Sequence, residues 1–367
     1  MLRAWLAALL AARLCVAAPP LFETTDLFVQ GEEGVHTYRI PALVQTKRGR
    51  LIAIVDARRG SASDLPARIA LVMRRSFNSG RTWTPPRTIV QPAEGGVGDA
   101  SLLLERETGR VWCFFSYGPP GIGFRTAHAG ARTGPTTFQI HAMHSDDDGQ
   151  TWSAPQDLSP QIKDPGWEAA FVTSGTHMET SKGRFLLPLV VRYPGNIVSA
   201  RNAYSDDRGK TWHVGQPLGA GTDESHAVEL KDGTILQNFR DSQTRLVGLS
   251  KDGGITVDNL HPDPVLIEPG CNAGLARDTR AGKDVLIFTN PASHVRERMT
   301  VRLSSDNGHT WPQSRILWAG KAAYSSTIAL GDGTIAVLYE RGIARSTERI
   351  TFARFNLEWV SQETDTH

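Results

Sequence analysis

Cysteine is scarce, with three residues in a chain of 367. Cys15 sits in an apolar N-terminal stretch, and Cys113 and Cys271 stand far apart, which excludes a disulfide framework. The latter two read as buried apolar residues. No Asn-x-Ser/Thr sequon occurs, so ordinary N-glycosylation has no acceptor. Neither sign of charge dominates: 40 basic residues face 38 acidic ones, a net +2. That balance, without basic clusters, excludes a nucleic-acid footprint. Zinc-ligand spacings, an HExxH pair among the 11 histidines, a phosphate-cradling glycine loop and a Gly-x-Ser-x-Gly elbow are all missing. Outside the N-terminus no apolar pattern of helical period is sustained.

The N-terminus has its own character. Met1-Leu2-Arg3 is followed by an apolar stretch from Ala4 to Ala18, interrupted by Arg13, with small residues at Val16-Ala17-Ala18. This order predicts a secretory signal over residues 1–18 and a single domain over 19–367. The stretch is short for a bilayer crossing, and no other segment qualifies as a transmembrane span.

What the chain has in abundance is one phrase, Ser-x-Asp-x-Gly-x-Thr-Trp. It occurs at Ser76–Trp83 (with Asn78 for the Asp), Ser145–Trp152, Ser205–Trp212 and Ser304–Trp311, with a worn copy at Ser250–Val257. Recurrence at 45 to 69 residues marks a repeated supersecondary unit. Between the copies lie short apolar runs of strand length, such as Leu51–Val55, Val111–Ser116, Phe185–Val191 and Thr334–Tyr339. Asp232-Gly233 and Asp332-Gly333 read as hairpin turns. Four strands with connections need about 40–60 residues, the size of a propeller blade. An all-β propeller is therefore predicted. The boxes themselves read as hairpin corners, with Asp bonded to backbone amides, Gly at positive φ and Trp packed beneath.

Several polar residues stand where strands should begin or end. Arg39 interrupts an extended segment, Arg240 ends a strand-like run and Arg296 precedes one. One such arginine is ordinarily a surface group. Three at strand ends of different blades can converge near the axis as a rigid site for a carboxylate or phosphate. Asp64 lies in a polar loop, Glu224 and Tyr324 each stand just before a strand, and Glu340 follows the run Ile335–Tyr339.

With YRIP at Tyr38–Pro41, FRDS at Phe239–Ser242, AYSST at Ala323–Thr327 and the repeated boxes, the chain resembles the exo-α-sialidases, from about Leu27 to Trp359. It looks most like the compact secreted bacterial members, and the missing sequon also disfavours an animal lysosomal protein. The resemblance implies a six-bladed propeller of four-stranded sheets and a site without metal or organic cofactor. It implies Arg39, Arg240 and Arg296 as a carboxylate-binding triad, with Arg298 the rival for the third place. It implies Tyr324 as nucleophile, Glu224 as its base and Asp64 as acid/base, although the loop before Asp64 is one residue longer than the family pattern. Glu340 matches the acid that orients the first arginine. Arg58 and Asp99 match contacts to the sugar's ring substituents, and Asn272 and the region Trp167–Phe171 are candidates for the remaining wall.

The implied chemistry is coherent. Sialic acid carries a carboxylate on its anomeric carbon, which three arginines can bind and which repels an anionic nucleophile. Sialidases are the recognised exception among retaining glycosidases in using tyrosine. A phenol needs a base, and Glu224 would supply it. The expected protein is thus a secreted, monomeric, retaining exo-α-sialidase acting on sialylated glycoproteins, glycolipids and oligosaccharides. A trans-sialidase of the same fold and a non-catalytic box-bearing propeller are the alternatives.

Overall fold

The computed structural model describes residues 18–362. The expected signal segment, residues 1–18, falls outside this range except for its last residue. Strands dominate: helix is confined to single turns such as Ser159–Ile162 and Leu357–Val360. Among the described residues no helix is long and apolar enough to cross a membrane.

Antiparallel sheets follow one another along the chain. The first holds Thr37–Gln45, Leu51–Arg58, Ile69–Ser76 and Arg87–Val90 in sequence order. The second is built on Gly96–Leu104, Val111–Gly118, Gln139–Ser145 and Gln156–Asp157, with the short strand Gly175–Thr176 added in parallel. The third runs through Ala169–Val172, Phe185–Tyr193, Ile197–Ser205 and His213–Val214, and the fourth through Ser225–Glu229, Ile235–Phe239, Thr244–Ser250 and Asp258–Ile267. The last sheet has seven strands, because the long strand Gln313–Ala329 pairs with Glu297–Ser304 on one side and Ile335–Gly342 on the other. Phe22–Val29 completes it by pairing with Arg349–Phe355, so the N-terminal strand closes the C-terminal sheet. The arrangement is an all-β, propeller-type fold.

Core side chains lie between neighbouring sheets. Ile52 and Ile54 of the first pack with Leu102, Cys113 and Phe115 of the second. Trp112 and Phe114 of the second pack with Phe185 and Leu187 of the third. Cys113 and Cys271 are both buried free thiols, as expected. Short polar links join neighbouring sheets near the centre. Ser326 Oγ accepts from Leu43 N (3.2 Å) and lies 3.0 Å from Thr176 Oγ1, while Asn272 Nδ2 donates to Ser174 O (2.9 Å). Small polar residues let these backbones approach and satisfy their buried groups.

All five boxes connect the third strand of a sheet to the fourth. In the second copy, Ser145 Oγ donates to Asp147 Oδ1 (2.8 Å) and accepts from Gly149 N (2.8 Å), while Asp147 accepts from Thr151 N (2.8 Å) and Thr151 Oγ1 (2.6 Å). The same bonds recur around Asp207, Asp252 and Asp306. The residue after the Asp and the following Gly both take positive φ, as at Asp148 (59°) and Gly149 (78°). Trp83 and Trp212 donate to the box glycine's carbonyl, whereas Trp311 turns to Asp263. Register places the boxes far from Arg39. Ser76 is level with Leu51 and Gln45, six residues along the strand from Arg39, or about 20 Å.

Candidate active site

At the opposite end from the boxes the sheets surround a cavity of about 530 Å³. Seven of the expected residues line it: Arg39, Asp64, Asp99, Glu224, Arg240, Arg296 and Tyr324. Their convergence depends on irregular backbone. Pairing slips between Arg39 and Ala42, where Ile40 has φ 58°, between Gly98 and Ser101, where Asp99 has φ 57°, and between Ala322 and Ser325, around Tyr324. Bulges re-aim side chains out of a regular ladder. Tyr324 accordingly lies inside a strand rather than just before one, a correction to the expectation from sequence.

Glu340 is fully buried behind the cavity. It accepts from Arg39 Nε and Nη2 at 3.1 Å each, from Ile40 N at 2.9 Å and from Tyr324 N at 3.3 Å. Burial alone would lower the Arg39 pKa, but the Glu340 carboxylate, together with Tyr324 and Asp64, outweighs it and the guanidinium is held firmly charged. One acid therefore fixes both the arginine and the tyrosine backbone.

Tyr324 Oη donates to Glu224 Oε2 at 2.7 Å, and Arg240 Nη1 donates to that same carboxylate oxygen and to Tyr324 Oη (3.0 Å). Burial pushes the Tyr324 phenol well above its usual range, and the Glu224 charge adds to this. Burial also raises Glu224, against the opposing pull of Arg240. Arg39 and Arg296 lie over the Tyr324 ring, with Cζ 5.1 and 5.7 Å from its centroid. Arg296 Nη2 donates to Gly270 O (3.0 Å). Its rival Arg298 occupies a bulge with φ 61°, is exposed and is not part of the lining.

Asp64 sits on the loop between Leu51–Arg58 and Ile69–Ser76 with its side chain 79% exposed. Burial of part of the carboxyl raises its pKa, but Arg58 and then Arg39 more than offset this and hold it low. Arg58 is buried, lies behind the lining, and reaches Asp64 at 2.7 Å and Asp56 at 3.3 Å. Asp56 also accepts from Asp99 N (3.1 Å). Burial lifts Asp56 to about 7 despite Arg58. Asp99 is raised well above the usual range by burial and then by the Asp56, Asp64 and Glu224 carboxylates.

Asn272 is placed elsewhere: it is buried, bonded to Ser174 O and Oγ, and is not among the lining side chains. Within Trp167–Phe171 only Phe171 reaches the cavity, and Trp167 packs against Tyr193 instead. Sequence reading missed the rest of the apolar wall, Leu65, Pro66, Phe124 and Phe138, together with Arg125. It also missed Asp56 and the fully buried pair Arg245 and Glu268. Glu268 accepts from Cys271 N (3.0 Å) and Asp241 N, bracing the segments that carry Gly270 and Arg240.

On a box-bearing, propeller-type fold the cavity thus gathers three arginines, Asp64, Glu224 and a carboxylate-bonded tyrosine. The BNR repeat-like domain family matches residues 49–337. A sialidase of Micromonospora viridifaciens is 37% identical over 93% of this chain and 55% of its own length. The chain belongs to the sialidase family. A sialidase of Bacteroides fragilis (strain YCH46) is 32% identical over 86% of the chain and 62% of its own length. Among solved structures, Hadza microbial sialidase Hz136 superposes with a TM-score of 0.84 at 31% identity, covering 90% of this sialidase-family chain and 68% of its own. The chain thus spans between half and two thirds of the two curated relatives' length.

Proposed function

We propose that the protein is a retaining exo-α-sialidase that hydrolyses terminal sialic acids from glycoproteins, glycolipids and oligosaccharides. The observation that carries this is the Tyr324–Glu224 hydrogen bond in a cavity lined by Arg39, Arg240 and Arg296. The arginines bind the sugar carboxylate through charge-assisted hydrogen bonds, and Glu340 keeps Arg39 in place. Asp99 lines the cavity and meets the ring substituents, while Arg58, behind the lining, holds Asp64 in place instead of touching the sugar as the resemblance implied.

In the first step Tyr324 Oη attacks the anomeric carbon while its proton passes to Glu224 Oε2. The glycosidic C–O bond breaks, and its oxygen takes a proton from Asp64. Arg58 and Arg39 hold Asp64 ionised, so it gains its proton as substrate arrives and the incoming carboxylate cancels part of the Arg39 pull. Asp64 then deprotonates a water, which attacks the same carbon from the vacated side. Tyr324 leaves and recovers its proton from Glu224. Two displacements at one carbon retain its configuration.

The same reading counts six blades. The 17-residue strand Gln313–Ala329 is shared: its first part completes one four-stranded unit, and its second part opens another, with the pairing slip between them. It also places a monomeric single domain, residues 19–367, outside the cytoplasm after loss of residues 1–18. The test is incubation with a panel of sialyl-lactoses followed by product identification. Free sialic acid released first as the α-anomer supports the reading. A β-anomer first, transfer to galactose in place of water, or inactivity on every linkage would refute it.

A further inference from the structure

We propose that Arg125 reads the sugar beyond the scissile bond and selects substrates in which that sugar is acidic; this rests on the hydrolase reading above. The connection over residues 119–138, between Val111–Gly118 and Gln139–Ser145, overhangs the cavity and is pinned closely around Arg125. The buried Arg192 donates from Nε to Phe124 O and from Nη2 to Ala127 O, both at 2.7 Å. Thr126 Oγ1 accepts from Gly123 N (2.8 Å) and donates to Gly121 O (2.9 Å). Gly123 rests directly on the loop that carries Asp64; a Cβ there would come within 2.1 Å of Leu65 O. The backbone on both sides of Arg125 is thus tied down, and its position relative to Asp64 is set by packing.

The Arg125 side chain is exposed, lines the cavity, and among the described residues makes no hydrogen bond or ion pair. Its charge acts on Asp64, behind Arg58 and Arg39. Asp64 protonates the leaving oxygen, so the departing sugar passes on the Asp64 side of the site. The carboxylate of the bound sialic acid already has Arg39, Arg240 and Arg296. A further unpartnered cation, carried on a pinned backbone beside the leaving group, complements a second negative charge, on the next sugar. A carboxylate, as on an inner sialic acid, or a sulfate ester on galactose supplies that chemistry.

The test compares kcat/KM for 3′-sialyllactose, an α2,8-linked disialyl-lactose and a galactose-sulfated sialyllactose in the wild-type protein, Arg125→Gln and Arg125→Lys. The acidic-to-neutral ratio is expected to fall about tenfold in Arg125→Gln, mainly through KM, and to recover in part in Arg125→Lys. A fall for one acidic substrate alone supports the proposal and names the group. An unchanged ratio, with all substrates equally affected, overturns it. If the wild type cleaves none of the three, the hydrolase reading falls and takes this one with it; an active enzyme with an unchanged ratio removes only the Arg125 assignment.

Discussion

Tyr324 Oη and Glu224 Oε2 are 2.7 Å apart, and both side chains are buried. Because Arg240 Nη1 donates to the same carboxylate, Glu224 holds a phenol and a guanidinium at once. Glu224→Gln keeps the shape and loses the proton acceptor. Turnover of a fluorogenic sialoside is expected to fall by about 10²–10⁴, with little change in KM. Steady-state kinetics of the variant checks this.

The boxes should matter for folding and not for chemistry. Gly80 has φ 87°, and a Cβ there would lie 2.2 Å from the Phe352 ring. Gly80→Ala combines backbone strain with overpacking and is expected to cost about 3 kcal/mol. Denaturant unfolding measures the loss, while kcat/KM per folded molecule should stay at the wild-type value.

Glu268 faces Arg245 at 3.3 Å with both side chains fully buried. Removing one partner strands a buried charge. Glu268→Ala is expected to destabilise by about 3–5 kcal/mol. Because Glu268 also braces the backbone of Asp241 and Cys271, residual folded protein should bind an unsaturated sialic acid analogue more weakly. Calorimetric titration of the variant reads that second effect.

His177 and His226 stack in the interior with centroids 5.7 Å apart. Burial lowers His177 to about 3, helped by His226, and lowers His226 to about 4, helped by Arg245. Both are neutral in the fold, while the unfolded chain takes up their protons near pH 6.5. Their contribution is therefore intact above that pH and is lost as pH falls toward 4, by up to about 1.4 kcal/mol per pH unit for each. Thermal melts from pH 7 to pH 4 should show the decline, with a shallower slope in His226→Gln.

Much of this was legible in the sequence for physical reasons. A box needs Asp, Gly and Thr at fixed offsets, so a repeated corner leaves a repeated phrase. Arg39, Arg240 and Arg296 stand out because charge at a strand end interrupts an apolar run. The bulges left no comparable mark: Ile40, Asp99 and Arg298 all have positive φ without being glycine. Asp56 and Glu268 carry no sequence signal, since their partners Arg58 and Arg245 meet them only in the fold. Asn272 shows the converse, a candidate for the pocket wall whose side chain is spent on Ser174. The wall from Phe124 and Phe138 comes from a connection with no periodic pattern, so nothing placed it near Asp64.

The most direct measurement is peptide mass spectrometry after quenching the enzyme with a sialosyl fluoride that also carries fluorine at C3, which slows departure of the sugar from the enzyme. One sialosyl adduct is expected, on the peptide containing Tyr324, and none in Tyr324→Phe. An adduct on a carboxylate such as Asp64 or Glu224, or no adduct from protein that turns over sialyllactose, would contradict the account.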